Sequence, residues 1–218
     1  MSFGERFLTH PDLFPARMAG ESFGGDELVV DLAGGPYGFS GLSADQARFL
    51  RERYQGFARP SGGTGGPIAV RCRVFRLSPG EWLEFDLRGF ELTLDRDCTE
   101  DAVRLAGVDL MARLEWRNGG SLGAGLWTSN EDPAYFHGAL ENLFRVLVAY
   151  RVVELGGVLL HSTGIVPSSS SEGTAAAVVC YGASGAGKST LSRLAQDAGQ
   201  HLSSDDLNAV LLEVSDAA

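Results

Sequence analysis

The chain has 218 residues, room for one large or two modest domains, and is 44% hydrophobic and 21% charged, as a foldable globular protein is. A formal net charge of −10 argues against nucleic acid as a partner, because a phosphate backbone needs a basic stripe and the sequence shows none; anionic membrane surfaces are disfavoured on the same ground. No apolar run approaches the ~20 residues of a spanning helix, and the first residues lack a signal peptide's charged start and apolar centre, so a cytoplasmic, membrane-free protein is expected.

Residues 1–25 are mixed in character. Glu27 to Leu32 suits a strand, closed by the turn signal Gly34-Gly35-Pro36. Ser43 with Gln46 three residues on has capping-box spacing, and Ala47, Leu50 and Tyr54 share one helical face before Gly56 ends the helix. Arg48, Arg51 and Arg53 fall on its solvated side. A glycine-rich loop over 60–67 follows, and then the period becomes two. Ile68, Val70, Cys72 and Val74 point one way, Arg71 and Arg73 the other. Alternation continues through Leu83, Phe85, Leu87, Phe90, Leu92 and Leu94. Segments 108–116 and 122–127 flank Asn118-Gly119-Gly120 as a hairpin. Residues 25–128 are therefore predicted to be mostly antiparallel sheet with one helix, with Trp82, Trp116 and Trp127 as core and sheet-face aromatics.

Asp132-Pro133 opens the longest helix, with Phe136, Leu140, Leu143, Phe144, Leu147 and Val148 as its apolar stripe and Gly156-Gly157 as its stop. His137 reads as a surface histidine near its start. Segment 158–166 is strand-like, 167–174 is a serine-rich loop, and 175–180 is a short buried strand. A helix from about 189 to 198 follows, and a last strand over 209–214. Cys72, Cys98 and Cys180 are odd in number and lack metal-ligand spacing; they read as buried, reduced thiols.

Between that buried strand and helix lies Gly182-Ala183-Ser184-Gly185-Ala186-Gly187-Lys188-Ser189-Thr190, a match to the phosphate-loop pattern. Its glycines let successive N–H groups converge on phosphate oxygens at a helix N-terminus. Lys188 would reach the β- and γ-phosphates, and the Ser189 hydroxyl would sit on magnesium. Lys188 is also the only lysine; the other seventeen basic residues are arginine. A chain that otherwise uses planar guanidinium forks departs from that habit where a compact ammonium is needed.

Phosphoryl transfer needs a held cation and a base for the attacking hydroxyl. Asp205-Asp206 follows Lys188 by one helix and a return strand. Adjacent residues at a strand end aim apart, so one carboxylate can serve the cation and the other the acceptor; a turn-capping surface pair is the competing reading. His161 lies on the neighbouring strand, where a carboxylate beside it would favour its protonated form.

This set, a strand carrying His161, a hairpin, the phosphate loop, a helix and Ser204-Asp205-Asp206, resembles the catalytic domain of HPr kinase/phosphorylase and its relatives, which share a nucleotide core with ATP-dependent phosphoenolpyruvate carboxykinase. The resemblance covers about residues 157–214. It implies ATP and Mg²⁺ as cofactors, with the nucleotide held by Gly182, Ser184, Gly185, Ala186, Gly187, Lys188, Ser189 and Thr190. It further implies acid–base work by Asp205, metal contact by Asp206 and Ser189, support from His161, and an assembly of identical copies. Ser162-Thr163 stands where the family has Gly after the histidine, the 167–174 loop is longer, and Thr190 replaces an acidic residue. The family's domain also runs on past the aspartate pair, so either a truncated kinase or an incomplete relative that binds nucleotide without turnover is expected here.

The expected organisation is an antiparallel α+β region over 1–131, a connecting helix over 132–156 and an α/β phosphate-loop core over 157–218. The leading functional expectation is an ATP-dependent kinase acting on a hydroxyl of a protein, peptide or small molecule. The alternative is a catalytically silent nucleotide-binding regulatory module. A transport or mechanical ATPase is disfavoured by the lack of a Leu-Ser-Gly-Gly-Gln signature.

Overall fold

The computed structural model describes residues 17–59, 66–77, 95–98, 102–107, 110–116, 122–168 and 176–211. Trp82 and the alternating segment 83–94 lie outside these residues. Two compact units emerge, Met1–Val148 and Ala149–Ala218.

In the first unit the strands are β1 (Asp26–Leu32), β2 (Gly35–Leu42), β3 (Ala58–Arg59), β4 (Val70–Arg76), β5 (Asp95–Cys98), β6 (Ala102–Gly107), β7 (Leu110–Trp116) and β8 (Leu122–Thr128). They form one sheet in the order β3-β1-β2-β4-β8-β7-β6-β5. The expected hairpin is present, Trp116 pairing with Leu122 and Met111 with Trp127 in antiparallel register. The described sheet is mostly antiparallel, as expected, and what the sequence did not suggest is its parallel centre: β4 runs alongside both β2 and β8 in the same direction. Neither junction is a hairpin. The helix α1 (Ala44–Arg53) and β3 separate β2 from β4, and the β5–β7 excursion separates β4 from β8.

β2 was not expected, since Gly35, Pro36, Gly38 and Gly41 all argue against a strand. Its local geometry explains the glycines. The β1–β2 register shifts between Asp26 and Glu27, and opposite that bulge Gly41 has φ +85°. A Cβ there would stand 2.4 Å from the Val74 carbonyl oxygen, so only glycine fits.

One sheet face is apolar throughout, with Leu28, Val30, Tyr37, Phe39, Val70, Cys72, Ala124, Leu126, Leu114 and Leu105 all buried. Helix α2 (Pro133–Glu154) supplies Phe136, Leu140, Leu143, Phe144 and Leu147 to this core. The Phe144 ring meets Tyr37 and Phe39 edge-on at centroid distances of 5.0 and 5.2 Å. Asp132 caps the helix start, its Oδ1 accepting from the Ala134 N–H at 2.9 Å. Ser43 and Gln46 form the predicted capping box of α1. On the opposite sheet face Trp127 stacks on Phe75 at 5.0 Å and donates from Nε1 to the Ala19 carbonyl. Trp116, by contrast, is 42% exposed.

Two readings of single residues change. His137 is half-buried rather than a surface group: its Nε2 lies 3.5 Å from the Tyr54 hydroxyl and 3.7 Å from Glu141. Of the thiols, Cys72 is buried, Cys180 intermediate and Cys98 exposed, so burial holds for Cys72 alone.

The second unit contains β9 (Val158–Val166), β10 (Val178–Tyr181), α3 (Lys188–Asp197), β11 (His201–Ser204) and β12 (Leu207–Val210). β9 is the central strand. β10 pairs with its C-terminal half, Tyr181 opposite Ser162; β11 and β12 pair with successive stretches of it, and all three run antiparallel to it. β10 and β11 are therefore parallel to each other with β9 between them, and α3 makes the crossover. The molecule as described is a mixed α/β protein with three helices.

Candidate functional site

The glycine-rich turn occupies the space between β10 and α3. The Ala186 N–H donates to the Ala183 carbonyl at 3.1 Å, and Gly185 and Gly187 take left-handed φ values of +80° and +91°. A side chain at either position would cost ~1 kcal/mol or more. Gly187 is the N-cap of α3, no side chain caps it, and the first turn carries no acidic residue. The positive end of that helix is thus left without a counter-charge from its own cap or first turn. Residues 182–187, among them Gly182, Ser184 and Ala186, are exposed. Lys188 folds back over the turn, its Nζ donating to the Gly182 carbonyl at 2.8 Å and the Ala183 carbonyl at 3.1 Å. Ser189 and Thr190 follow in the first turn, both exposed.

Beneath this turn a buried polar cluster joins α3 to β9. The Thr163 hydroxyl donates to the Lys188 carbonyl at 3.2 Å and lies 3.2 Å from the Ser192 hydroxyl, which itself reaches the Lys188 carbonyl at 3.2 Å. On the other face of β9, the Asn208 amide donates to the Ser162 carbonyl at 2.8 Å and to the Ser162 hydroxyl at 3.1 Å. All four side chains are buried. Each hydroxyl or amide finds a partner, as burial demands. The sequence marked Ser162-Thr163 only as a departure from a family pattern. Two polar residues inside an apolar strand were the available signal.

The acidic pair sits where the chain breaks between β11 and β12. Ser204 builds the break: its Oγ accepts from the N–H groups of Asp206 and Leu207, both at 3.2 Å. The Asp206 carbonyl accepts from the Ser162 N–H at 2.9 Å, which ties the bend to β9 beside His161. His161 Nε2 then stands 3.5 Å from Asp206 Oδ1, with the two side chains 63% and 50% exposed. An ion pair so open to water is worth at most about 1 kcal/mol. His161 and Thr163 share the α3-facing side of β9, about 7 Å apart along the strand.

Asp205 turns elsewhere. It lines a cavity of about 450 Å³ together with Ser189, Arg193, Gln196 and Ser204. Ser189, Arg193 and Gln196 recur at helical spacing on one side of α3, so Arg193 was legible from its i+4 relation to Ser189 yet went unremarked. The structure therefore makes three pairings: Lys188 with the loop carbonyls, Ser189 with Asp205 around one cavity, and His161 with Asp206. The last two divide the aspartates otherwise than expected, since Asp206 rather than Asp205 faces the histidine.

Among the described residues no group of three or more His, Cys, Asp or Glu side chains stands together. A protein-only cage for a cation is thus not on offer here. The donor set does suit magnesium in another way, because that ion commonly keeps several waters and takes one or two protein oxygens plus phosphates. Ser189 and Asp205 supply hard oxygens of that kind at one cavity. No described helix is long and apolar enough to cross a membrane.

No protein-family model, curated protein or solved structure matches this chain.

Proposed function

We propose that the second unit binds ATP and belongs to an ATP-dependent kinase of HPr kinase type, transferring the γ-phosphate to a hydroxyl on a protein, peptide or small molecule. The observation that carries this reading is the posture of Lys188. Its ammonium rests on two loop carbonyls at the start of a helix whose cap and first turn provide no negative charge. A polyphosphate entering there would exchange weak carbonyl acceptors for charged oxygens, and the helix N–H groups would add to the grip.

The remaining residues take their roles from their neighbours. Ser189 and Asp205, on one cavity, would hold the magnesium, whose chemistry is to bridge the phosphates and offset their charge. Asp206 beside His161 would accept the proton of the acceptor hydroxyl, with the His161 ring orienting the carboxylate. Thr163 and Ser192 position the first turn of α3 from below.

A second reading, a nucleotide-binding regulatory module without turnover, is favoured by one observation: both His161 and Asp206 are at least half exposed, whereas acid–base groups are commonly tuned by burial. Measurement of ADP release with purified full chain and magnesium separates the two. Steady release that is lost in Asp206→Asn while nucleotide binding persists supports the kinase. Binding without release over long incubation supports the module.

A further inference from the structure

The parallel centre of the first unit's sheet carries a feature unrelated to nucleotide binding. Arg71 and Arg73 project from β4 on the face opposite the apolar core and are exposed. Their cross-strand neighbours are Gly38 and Ser40 on β2, and Gly123 and Gly125 on β8. Three of the four neighbours are glycine, and neighbouring side chains cover two of them: over Gly125 a Cβ would stand 2.7 Å from the Trp127 ring. Next outward, Val29 pairs with Gly38 and Glu27 with Ser40. Ile68 closes the space over Gly38: a Cβ on that glycine would stand 3.0 Å from the Ile68 side chain. The result is a cavity of about 310 Å³, at the small end of ligand pockets, lined by Met18, Ile68, Glu27, Ser40, Arg71 and Arg73 among others.

Charge decides what would enter. Among the described residues, neither arginine has an ion-pair partner, although the chain has ten more acidic than basic side chains. Arg113, on the same face, is taken up by Glu115. Arg73 reaches only the Phe75 ring, at 5.3 Å. Glu27 lies two strands from Arg73, their backbones about 10 Å apart, and forms no ion pair with it. Two adjacent free forks next to an apolar wall suit a planar or tetrahedral anion on a short carbon body.

We propose that this sheet face is a second ligand site, for a small organic anion. Arg71 and Arg73 hold its carboxylate or phosphate, its carbon body lies against Ile68 and Met18, and Glu27 accepts from any donor group at its far end. The site lies wholly within the first unit and stands whether or not the second unit binds ATP.

The test uses the full chain titrated by calorimetry and NMR with phenyl phosphate, phenylacetate and the neutral phenylacetamide. Saturable binding of at least one acid is expected, with the amide about tenfold weaker or worse. Phenyl phosphate alone would identify phosphate as the recognised group, phenylacetate alone carboxylate. The Arg71→Gln/Arg73→Gln chain should keep its melting temperature and lose about tenfold or more in affinity, because both positions are exposed. Lys188→Ala should change nothing at this site, which separates it from the glycine-rich turn. No saturable binding of either acid, equal binding of the amide, or wild-type affinity in the double variant would overturn the proposal.

Discussion

The Thr163 hydroxyl lies 3.2 Å from the carbonyl oxygen of Lys188, and through that bond the central strand of the second unit holds the first turn of its helix. Both side chains are buried, and Ser192 shares the same carbonyl. Without the Thr163 hydroxyl, Ser192 still donates to the Lys188 carbonyl, so the loss is that of one shared bond, about 1 kcal/mol. Thr163→Val should therefore lower the stability of this unit by about that much and weaken ATP binding severalfold, while Thr163→Ser restores both. Parallel measurement of melting and ATP affinity on the two variants checks this. Equal damage from Thr163→Ser would show that the methyl packing, not the hydroxyl, matters.

Acid should weaken the first unit through His137. Burial depresses the pKa of its imidazole, Glu141 acts in the opposite sense, and Arg53 and Arg145 add to the depression. The unfolded chain takes up this proton near its ordinary pKa of 6.5 and the folded chain only below it. Between those points the unfolded state binds more protons, so stability falls as pH falls. Urea midpoints at about pH 7.5 and about pH 5.5 should differ less in His137→Gln than in the parent. An identical acid loss in both chains would place the effect elsewhere.

At the alkaline end the sign reverses. Burial, with help from Glu141, raises the Tyr54 hydroxyl to about 12 from 10.0. The unfolded chain loses that proton first, so stability present below pH 10.0 declines as pH rises toward 12. Tyr54→Phe should flatten this limb of the stability curve. A limb unchanged in that variant would contradict the assignment.

Thiol chemistry should discriminate among the cysteines. Burial raises the Cys72 thiol to about 12, whereas Cys98 is exposed. Native protein treated with a maleimide and mapped by mass spectrometry should carry the label at Cys98, with Cys72 modified only after denaturation. Rapid native labelling of Cys72 would mean that the central sheet opens readily.

Much of this architecture was legible where local chemistry acts alone. The Ser43–Gln46 box, the Asp132 cap and the β7–β8 hairpin follow from residues within a few positions of each other, and all three form. β9 spans the predicted residues 158–166 because its apolar run is bounded by Gly157 and Pro167. What escaped detection depends on partners far away in sequence. β2 hides behind four residues that weaken strands, and Gly41 is required only because the Val74 backbone passes close by. The parallel pairing of β4 is a property of topology, to which a period of two is blind. Within the site, the spacing of Lys188, Asp205 and Asp206 was visible. Which aspartate faces His161 was not, since the Ser204 turn sets it. His137 looked solvated because the Tyr54 ring that shelters it comes from another helix.

Calorimetric titration of the full chain and of Lys188→Ala with ATP in the presence of magnesium tests the nucleotide assignment most directly. Saturable binding by the parent, lost in Lys188→Ala at unchanged melting temperature and retained in Asp206→Asn, is the expected result. Absence of binding by a folded parent chain, or equal affinity in Lys188→Ala, would contradict it.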